Sequence, residues 1–321
     1  MIKKKTFLLC VVVALVVVLS VPSVYAGGRR FLSIASGWVT GAYYPFAGAV
    51  SRVAWKHLKE KNIKVTAESS GASVANAKLI GKSDTDFALL QNDIASYAHY
   101  GKMMFDKPIS NLLGMMTLYP ETIQLVARKD ANINSVADLK GKRVSIGPLG
   151  SGTTENAKQI LAAWGMSADD LDAQQLKASQ AADYMKDGRL DASFNTTAVG
   201  AAHIIDTCVL VPSNIVPISG PNAEKLMKDY AFYAKDTIGP GIYKGVDSPV
   251  QTIAVMAMMV ARADLEKDVV YSVVKAIYED LEQIKKAHAK FKGISVQKAL
   301  VGMSVPLHPG AEQYFKEVGV K

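Results

Sequence analysis

Cysteine is almost absent from this sequence, which contains only Cys10 and Cys208. Cys10 lies in an N-terminal segment that we predict is removed, so the remaining chain has one thiol and cannot form an intrachain disulfide. Cys208 has apolar neighbours, which indicates a buried and unreactive thiol. The five histidines are scattered and form no HExxH or Cys/His pattern. The sequence therefore predicts no metal site.

Long hydrophobic runs are also lacking after the first residues of the chain. The one substantial run extends from Phe7 to Leu19 and follows three lysines. It is shorter than the ~20 residues of a membrane-spanning helix and fits the apolar region of a secretory signal peptide. Pro22 ends this run. In Val24-Tyr25-Ala26, the first and third residues are the small residues that a signal peptidase recognises. We predict a signal peptide over residues 1–26 and a periplasmic mature protein; an uncleaved anchor is the alternative.

The sequence also lacks a clustered pattern of charge and a catalytic motif. The formal net charge is +8, but the basic residues are scattered and are not interleaved with aromatic residues, so no nucleic acid is expected as a partner. No GxSxG motif occurs, and Ser272-Val273-Val274-Lys275 matches SxxK only by chance on an amphipathic helix. The sequence therefore predicts a protein that is not an enzyme.

The sequence is rich in alternating strand-like and helix-like segments. This alternation predicts an α/β fold with mainly parallel sheets covered by helices on both faces. The mature chain is longer than one typical domain, so one large or two ordinary domains are expected. Leu112 to Arg128 is apolar but contains Pro120, which a continuous central strand does not accept. We predict two strands joined at Pro120, where the chain crosses between domains.

Glycine- and hydroxyl-rich loops follow directly after three predicted strands, over residues 36–41, 69–73 and 147–154. Ligands of open α/β sheets bind beyond the carboxyl ends of the strands. The positions of these loops therefore predict a cleft that binds a small molecule.

The loop from Gly147 to Thr154 has the glycine spacing of a phosphate loop, but Thr153 stands where that motif requires lysine. A nucleotide is therefore not expected, and we predict no cofactor. The loop leads into a helix start, where free backbone N–H groups and the helix dipole suit an anion such as a carboxylate. An ordinary strand-to-helix turn is the alternative.

The other loops offer backbone, hydroxyl, phenol and carboxamide groups. Glycine permits a close approach of the backbone to a ligand, and tyrosine combines an apolar ring with a hydrogen-bond donor. Half-burial at a helix start is the alternative role of the two tyrosines, and helix capping is that of Asp93. The candidate residues in these loops are Thr40, Gly41, Tyr43, Tyr44, Ser70, Ser73, Gln91 and Asp93.

These loops and several later motifs resemble the TAXI-type solute-binding subunits of TRAP transporters. The first loop departs from the family pattern at Ala42, where it is one residue shorter, and the second departs at Ala72, where the family has glycine. The resemblance covers nearly the whole mature chain with its elements in order. The matching segments are Thr40 to Pro45, Ala72 to Asn76, Gln91 to Asp93, Leu118 to Glu121, Gly150 to Thr153, Gly239 to Gly245 and His308 to Ala311.

The resemblance implies a two-lobed α/β periplasmic binding protein of the type II-like fold, with the ligand cleft between the lobes. Lobe I would comprise residues 27–121 and 215–321, and lobe II residues 122–214. The family implies capture of a small organic anion or amino acid, such as glutamate, glutamine or 2-oxoglutarate. It also implies integral membrane TRAP permease subunits as partners, and we expect the protein itself to be a monomer.

Carried over by position, the resemblance distributes the ligand contacts between the two lobes. Ser151, Gly152 and Thr153 would hold a carboxylate from lobe II, with Asn195 and Thr196 as neighbours. Lobe I would contribute Tyr43, Tyr44, Ser73, Gln91 and Asp93.

The same sequence allows other functions. The binding subunit of an ATP-driven importer would share the fold and differ in its membrane partner. A ligand-presenting partner of a membrane sensor would bind without uptake. A secreted hydrolase would require a nucleophile, a base and an orienting residue, and no such set stands out.

Overall fold

The computed structural model describes residues 29–39 and 41–320. The predicted signal peptide and the candidate residue Thr40 therefore lie outside the described residues. The strands are β1 (Arg30–Ala35), β2 (Ile63–Glu68), β3 (Phe87–Gln91), β4 (Leu112–Arg128), β5 (Arg143–Ser145), β6 (Asp172–Gln174), β7 (Ala192–Thr197), β8 (Ser213–Val216), β9 (Ala234–Ile238) and β10 (Val250–Arg262). The helices are α1 (Tyr43–Leu58), α2 (Ser73–Gly81), α3 (Asn92–Tyr100), α4 (Gly152–Ala163), α5 (Ala178–Lys186), α6 (Ala202–Leu210), α7 (Pro221–Asp229), α8 (Lys267–Glu279), α9 (Leu281–Lys286) and α10 (Pro309–Glu317).

The alternation of strands and helices predicted from the periodicity is confirmed for the first three strand–helix pairs, β1–α1, β2–α2 and β3–α3. Helix α1 forms because its apolar residues recur at helical spacing, and Phe46, Val50 and Val53 are almost completely buried along one face. Strand β3 is buried at every position, as expected for a strand covered on both faces.

The strands form one mixed sheet with the order β2-β1-β3-β10-β4-β7-β5-β6, with β8 beside β4 and β9 beside β10. The pairs β1–β3, β5–β6 and β5–β7 are parallel. Strand β10, however, pairs antiparallel with both β3 and β4, and β4 pairs antiparallel with β7. The prediction of mainly parallel sheets is therefore wrong at the centre of the sheet. Strand β10 comes late in the chain, yet it lies between β3 and β4 and runs antiparallel to both. The local sequence pattern does not reveal this long-range pairing.

Strand β4 continues through Pro120, so the prediction of two strands joined there is also wrong. Pro120 is exposed and lies opposite Met256 of β10, beside a register shift. The pairing of β4 with β7 starts only at Thr122. Proline has no backbone N–H to donate to a neighbouring strand, which is tolerated where a strand is unpaired on one side or bulged.

Buried apolar side chains form separate clusters at the two ends of the sheet. At the β2-β1-β3 end, Phe46 of α1 and Val273 of α8 share one cluster, and Ala77 and Ile94 belong to a second under α2 and α3. At the other end, one cluster includes Ile123, Ile160, Phe194, Val216 and Leu226. The last contains Ala181, Ile204, Cys208 and Tyr243. Helices thus cover the sheet at both ends, and β4 and β10 are long enough to pass from one end to the other.

Cys208 is buried as predicted, with 3% of its surface exposed, and burial raises the pKa of its thiol to about 11. Within residues 29–39 and 41–320, no helix combines the length and the apolar composition that crossing a bilayer requires.

Candidate functional site

A deep cleft lies beyond the carboxyl ends of β1, β3, β5 and β7, beside the middle of β4. The cleft has an empty volume of about 750 Å³ when the space is counted out to open solvent. No lysine or arginine is found among the described residues that line it. The lining consists of Gly37, Trp38, Gly41, Ala42, Tyr43, Ala72, Ser73, Gln91, Glu121, Ser145, Gly147, Pro148, Ser151, Gly152, Thr153, Leu176, Ala178, Ser193, Phe194, Asn195, Thr196, Thr197 and His203.

One wall of the cleft is the N-terminus of α4. The loop before it turns sharply, with positive φ at Gly147 and Gly150, and Ser151 caps the helix by accepting a hydrogen bond from the Thr154 N–H at 3.3 Å. Gly152 and Thr153 occupy the first turn, where backbone N–H groups have no intrahelical acceptor. These N–H groups and the positive end of the helix dipole favour a negatively charged ligand.

Gln91 reaches this helix start from the opposite wall. A Cβ placed on Gly152 would overlap the Gln91 carboxamide, so a larger residue here would force the Gln91 side chain to move. The Gln91 side chain is 3% exposed, and its Oε1 atom has no hydrogen-bond partner among the described residues. A buried acceptor without a donor carries a free-energy penalty. A donor on a ligand would remove that penalty.

Glu121 and Tyr43 form a buried pair in the cleft. The Tyr43 hydroxyl donates to Glu121 Oε2 at 2.6 Å, and the two residues are 7% and 6% exposed. Burial raises the pKa of Glu121 to about 8, although the Tyr43 hydrogen bond opposes the change. Burial, followed by the Glu121 charge, also raises the pKa of Tyr43 well above its ordinary value. The phenol therefore remains a donor, and the carboxyl changes its charge near neutral pH.

The far side of the cleft carries Asn195 and His203. His203 Nε2 lies 3.1 Å from Asn195 Oδ1, and Asn195 Nδ2 donates to the Ser193 carbonyl at 3.0 Å. Burial lowers the pKa of His203 to about 4, so this imidazole is neutral at physiological pH. A neutral His203 that bonds Asn195 Oδ1 carries its proton on Nε2.

Direct hydrogen bonds join the two walls. The Gly150 carbonyl accepts the N–H groups of Val74 and Ala75 at 3.1 and 3.2 Å, which places the start of α2 against the loop before α4. Deeper in, Asn156 Nδ2 of α4 donates to Asp93 Oδ2 of α3 at 2.8 Å. The structure thus holds the cleft in a conformation in which its walls touch.

The structure brings most of the predicted site residues together. The predicted residues that line the cleft are Gly41, Tyr43, Ser73, Gln91, Ser151, Gly152, Thr153, Asn195 and Thr196. Several of their hydroxyls already have partners: Ser73 Oγ accepts the Gln91 N–H, and Thr196 Oγ1 donates to Asn156 Oδ1. Their roles in ligand binding stay predictions.

Tyr44, Ser70 and Asp93 are not among the lining residues. Ser70 Oγ accepts the Ala72 N–H at 3.2 Å, inside its own loop. Asp93 is completely buried and accepts the Ile94 N–H and the Asn156 carboxamide. The N-cap position of α3 is Gln91 and carries no side-chain capping bond, so Asp93 lies inside the first turn rather than at the N-cap. Thr40 lies outside the described residues, so the structure does not place it.

Sequence reasoning missed Glu121 and His203 as members of the cleft, together with Trp38. Glu121 stands inside a long apolar strand, and His203 lies in a helix that follows the cleft strand β7, so neither lies in a glycine-rich loop. Trp38 had a usable signal, because it lies inside the loop over residues 36–41 that follows the first strand.

The pattern of a family of known proteins matches this chain over residues 34–319, and the family is described as the NMT1-like family. The chain belongs to the NMT1-like family. The match begins in β1 and ends after α10, so it includes every described residue that lines the cleft.

Solved structures agree with this fold. A protein from Bordetella bronchiseptica RB50 matches with a TM-score of 0.54 and 14% identity, over 91% of this chain and 89% of the other. A Xanthomonas citri protein bound to chloride ion matches with a TM-score of 0.53 and 12% identity, over 90% and 95% of the two chains. The alkanesulfonate-binding protein SsuA from Xanthomonas axonopodis pv. citri, bound to MOPS, has a TM-score of 0.49 and 14% identity, over 91% and 85%. The matches with TM-scores above 0.5 confirm the predicted α/β fold class.

Proposed function

We propose that this NMT1-like protein is a periplasmic solute-binding protein that captures a small carboxylate and presents it to a membrane transporter. The observation that carries this proposal is the cleft itself. Its two walls come from opposite ends of the sheet, and its polar groups are arranged for binding. Among the described cleft residues, no serine or threonine lies in hydrogen-bond contact with His203, the neutral imidazole that a hydrolase would use as a base.

The carboxylate would lie at the N-terminus of α4. Gly152 and Thr153 offer free N–H groups there, and Ser151 and the loop glycines hold the helix start in place. With no lysine or arginine in the described lining, the anion would depend on hydrogen bonds and the helix dipole rather than on a full positive charge. Such a site discriminates by leaving buried polar groups unpaired when the wrong ligand binds.

We propose that the two lobes meet near Glu121, as predicted from the sequence. Val216, Ile218 and Leu226 share a buried cluster with Ile160 and Phe194. This packing favours a second lobe that continues past residue 214, the boundary inferred from the sequence, and returns to the first lobe along β10.

We propose TRAP permease subunits as the membrane partner, on the strength of the loops that resemble the TAXI type. A permease of this kind uses an ion gradient. Uptake in cells that carry the protein and its permease should therefore collapse when an uncoupler removes the gradient and persist when cellular ATP is depleted. The opposite pattern would assign the protein to an ATP-driven importer.

The first experiment is the thermal unfolding of the protein with a panel of amino acids and organic acids. The full chain would be expressed in a Gram-negative host, and its mass measured to locate the cleavage site. The protein would then be unfolded and refolded to remove any retained solute. A ligand at about 100 times its dissociation constant should stabilise the protein by about 2.7 kcal/mol, which raises the melting temperature by several degrees.

Each outcome of this experiment decides a part of the proposal. A rise with a carboxylate that is recovered unchanged supports a binding protein, whereas recovery of a cleavage product would indicate a hydrolase. If the folded protein responds to no carboxylate, the ligand assignment is wrong. If the ligand binds but a deletion strain still takes it up at the normal rate, the protein serves a sensor instead.

A further inference from the structure

The cleft contains one acidic side chain among its described lining residues, Glu121, and no basic side chain to neutralise it. Glu121 is buried, with 6% of the residue exposed. Tyr43 occupies Oε2 as a donor. A carboxyl that lines a cavity in this way is suited to receive a further donor from a ligand.

The charged and titratable groups that interact with Glu121 come from four parts of the structure. Tyr43 belongs to α1, Tyr119 to β4 and Asp93 to α3, while Lys290 lies in the short helical turn Ala289–Gly293. Asp93 raises the pKa of Glu121, and Lys290 lowers it less than Asp93 raises it. Among the described residues, Lys290 forms no ion pair with Glu121. The positive partner that an ionised Glu121 lacks would have to come from the ligand.

A second acceptor faces the same cavity. Gln91 Oε1 is buried and has no donor among the described residues. The N–H groups of Gly152 and Thr153 are donors on the other wall, at the helix start that Gln91 reaches. A ligand with a donor group next to a carboxylate would satisfy both Gln91 Oε1 and these N–H groups.

We propose that Glu121 is the specificity-determining residue of the cleft, and that it holds an ammonium group of a ligand whose carboxylate binds at the start of α4. This inference rests on the proposed binding function. Such a site would select α-amino acids over acids of the same shape that lack the amino nitrogen. Gln91 Oε1 would accept a second N–H from the same ammonium group.

Binding of an ammonium group at Glu121 should release a proton. In the empty protein near pH 7, Glu121 carries a proton in most molecules because burial raises its pKa to about 8. An ammonium group binds the ionised carboxylate, so capture displaces this proton to solvent while the ligand keeps its own. Affinity should then rise from pH 6 to pH 8. A ligand that placed a carboxylate against Glu121 would instead require the proton, and its affinity would fall over the same range.

The experiment compares each amino acid with its desamino counterpart, beginning with L-glutamate and glutarate. Calorimetry at pH 7 in two buffers of different ionisation enthalpy counts the protons exchanged on binding. We expect the amino acid to bind at least tenfold more tightly and to release close to one proton. Tighter binding of the desamino acid, or proton uptake, would overturn the assignment of Glu121 while leaving the binding function intact. If no pair shows binding, the proposed function itself fails.

A variant separates the charge of Glu121 from its shape. Glu121→Gln keeps an acceptor for Tyr43 and should fold, because it resembles the protonated form. We expect affinity for the amino acid to fall by about 10- to 100-fold, with proton release abolished and with little change for the desamino acid. The control is Glu282→Gln, whose exposed carboxylate pairs only with Lys285 on its own helix. Equal losses for both ligands would assign Glu121 a merely structural role.

Discussion

At the scale of single residues, the chemistry of the cleft depends on burial. Glu121 and Asp93 are carboxyls in places from which water is excluded, and burial raises the pKa of Asp93 to about 6. Both carboxyl oxygens of Asp93 accept a hydrogen bond, one from the Ile94 N–H and one from the Asn156 carboxamide. Among the described residues, Glu121 accepts a hydrogen bond from Tyr43 alone. The two residues therefore differ in role, although both are buried acids near one cleft.

The pKa of Glu121 predicts how stability depends on pH. Its folded-state value of about 8 is above the value in the unfolded chain, so the unfolded state ionises first as pH rises. The free energy of unfolding should therefore fall between pH 6 and pH 8, by up to about 1.4 kcal/mol per pH unit. Asp93 acts in the same direction but mostly below pH 6. Urea unfolding of the wild-type protein and Glu121→Gln measures the difference.

The Glu121→Gln variant stays neutral and should lose this part of the slope, whereas Glu282→Gln should keep it. An identical pH dependence in the wild-type protein and Glu121→Gln would show that Glu121 is already ionised at pH 6.

Ala72 is a second residue with a measurable effect. Its φ of 67° and ψ of −151° lie in a region that side chains rarely adopt, and the resembling family has glycine at this position. Ala72→Gly should relieve strain of about 1–3 kcal/mol, offset in part by the greater entropy of unfolded glycine. We expect a net stabilisation in urea unfolding.

Ala47→Gly is the matched control for this change, because Ala47 lies inside α1 with helical backbone. It should destabilise the protein by about 1 kcal/mol. A destabilisation by Ala72→Gly as large as that of the control would contradict the backbone conformation at Ala72.

At the scale of elements, the start of α4 makes three kinds of contact within a few residues. Ser151 caps the helix, Gly152 lets Gln91 approach, and the Gly150 carbonyl accepts two N–H groups from α2. These contacts join the two walls as well as shaping the anion site. A change here should therefore affect ligand binding more than folding.

Gly152→Ala tests this expectation. The added methyl group would overlap the Gln91 side chain, so the walls could close only after Gln91 moves. We expect ligand affinity to fall at least tenfold, with little change in the urea midpoint of the ligand-free protein. The control is Gly293→Ala, where an added Cβ meets open space. Unchanged affinity in Gly152→Ala would show that this close approach is absent from the bound form.

At the scale of the whole molecule, the cleft can open only if the contacts between its walls break. The bonds from Val74 and Ala75 to Gly150 are few, while β4 and β10 run through both ends of the sheet. A hinge motion about these strands would separate the walls and preserve the cores, as in hinged closure around a ligand.

Hydrogen exchange should detect this motion. With saturating ligand, amides over residues 72–78 and 147–155 should exchange more slowly, because closure keeps the Val74 and Ala75 N–H groups bonded. Amides of α8 lie in a separate core and should exchange at an unchanged rate, which makes this helix an internal control. Equal protection of all three segments would indicate general stabilisation without closure, and no change in any of them would contradict closure on binding.

Much of this molecule could be predicted from local sequence. The apolar spacing of Phe46, Val50 and Val53 determined α1, and glycine and hydroxyl residues after the strands identified the loops at Gly41, Ser73 and Ser151 that line the cleft. These features depend on neighbours a few residues apart, so they are visible without a fold.

The long-range arrangement was decided by the tertiary structure. Pairing with β10 keeps β4 continuous through Pro120, and the same strand makes the sheet mixed. Glu121, Trp38 and His203 join one cleft from distant parts of the chain. The unusual pKa of Glu121 is also a product of the fold, because the exclusion of water around a carboxyl depends on side chains that only folding brings together.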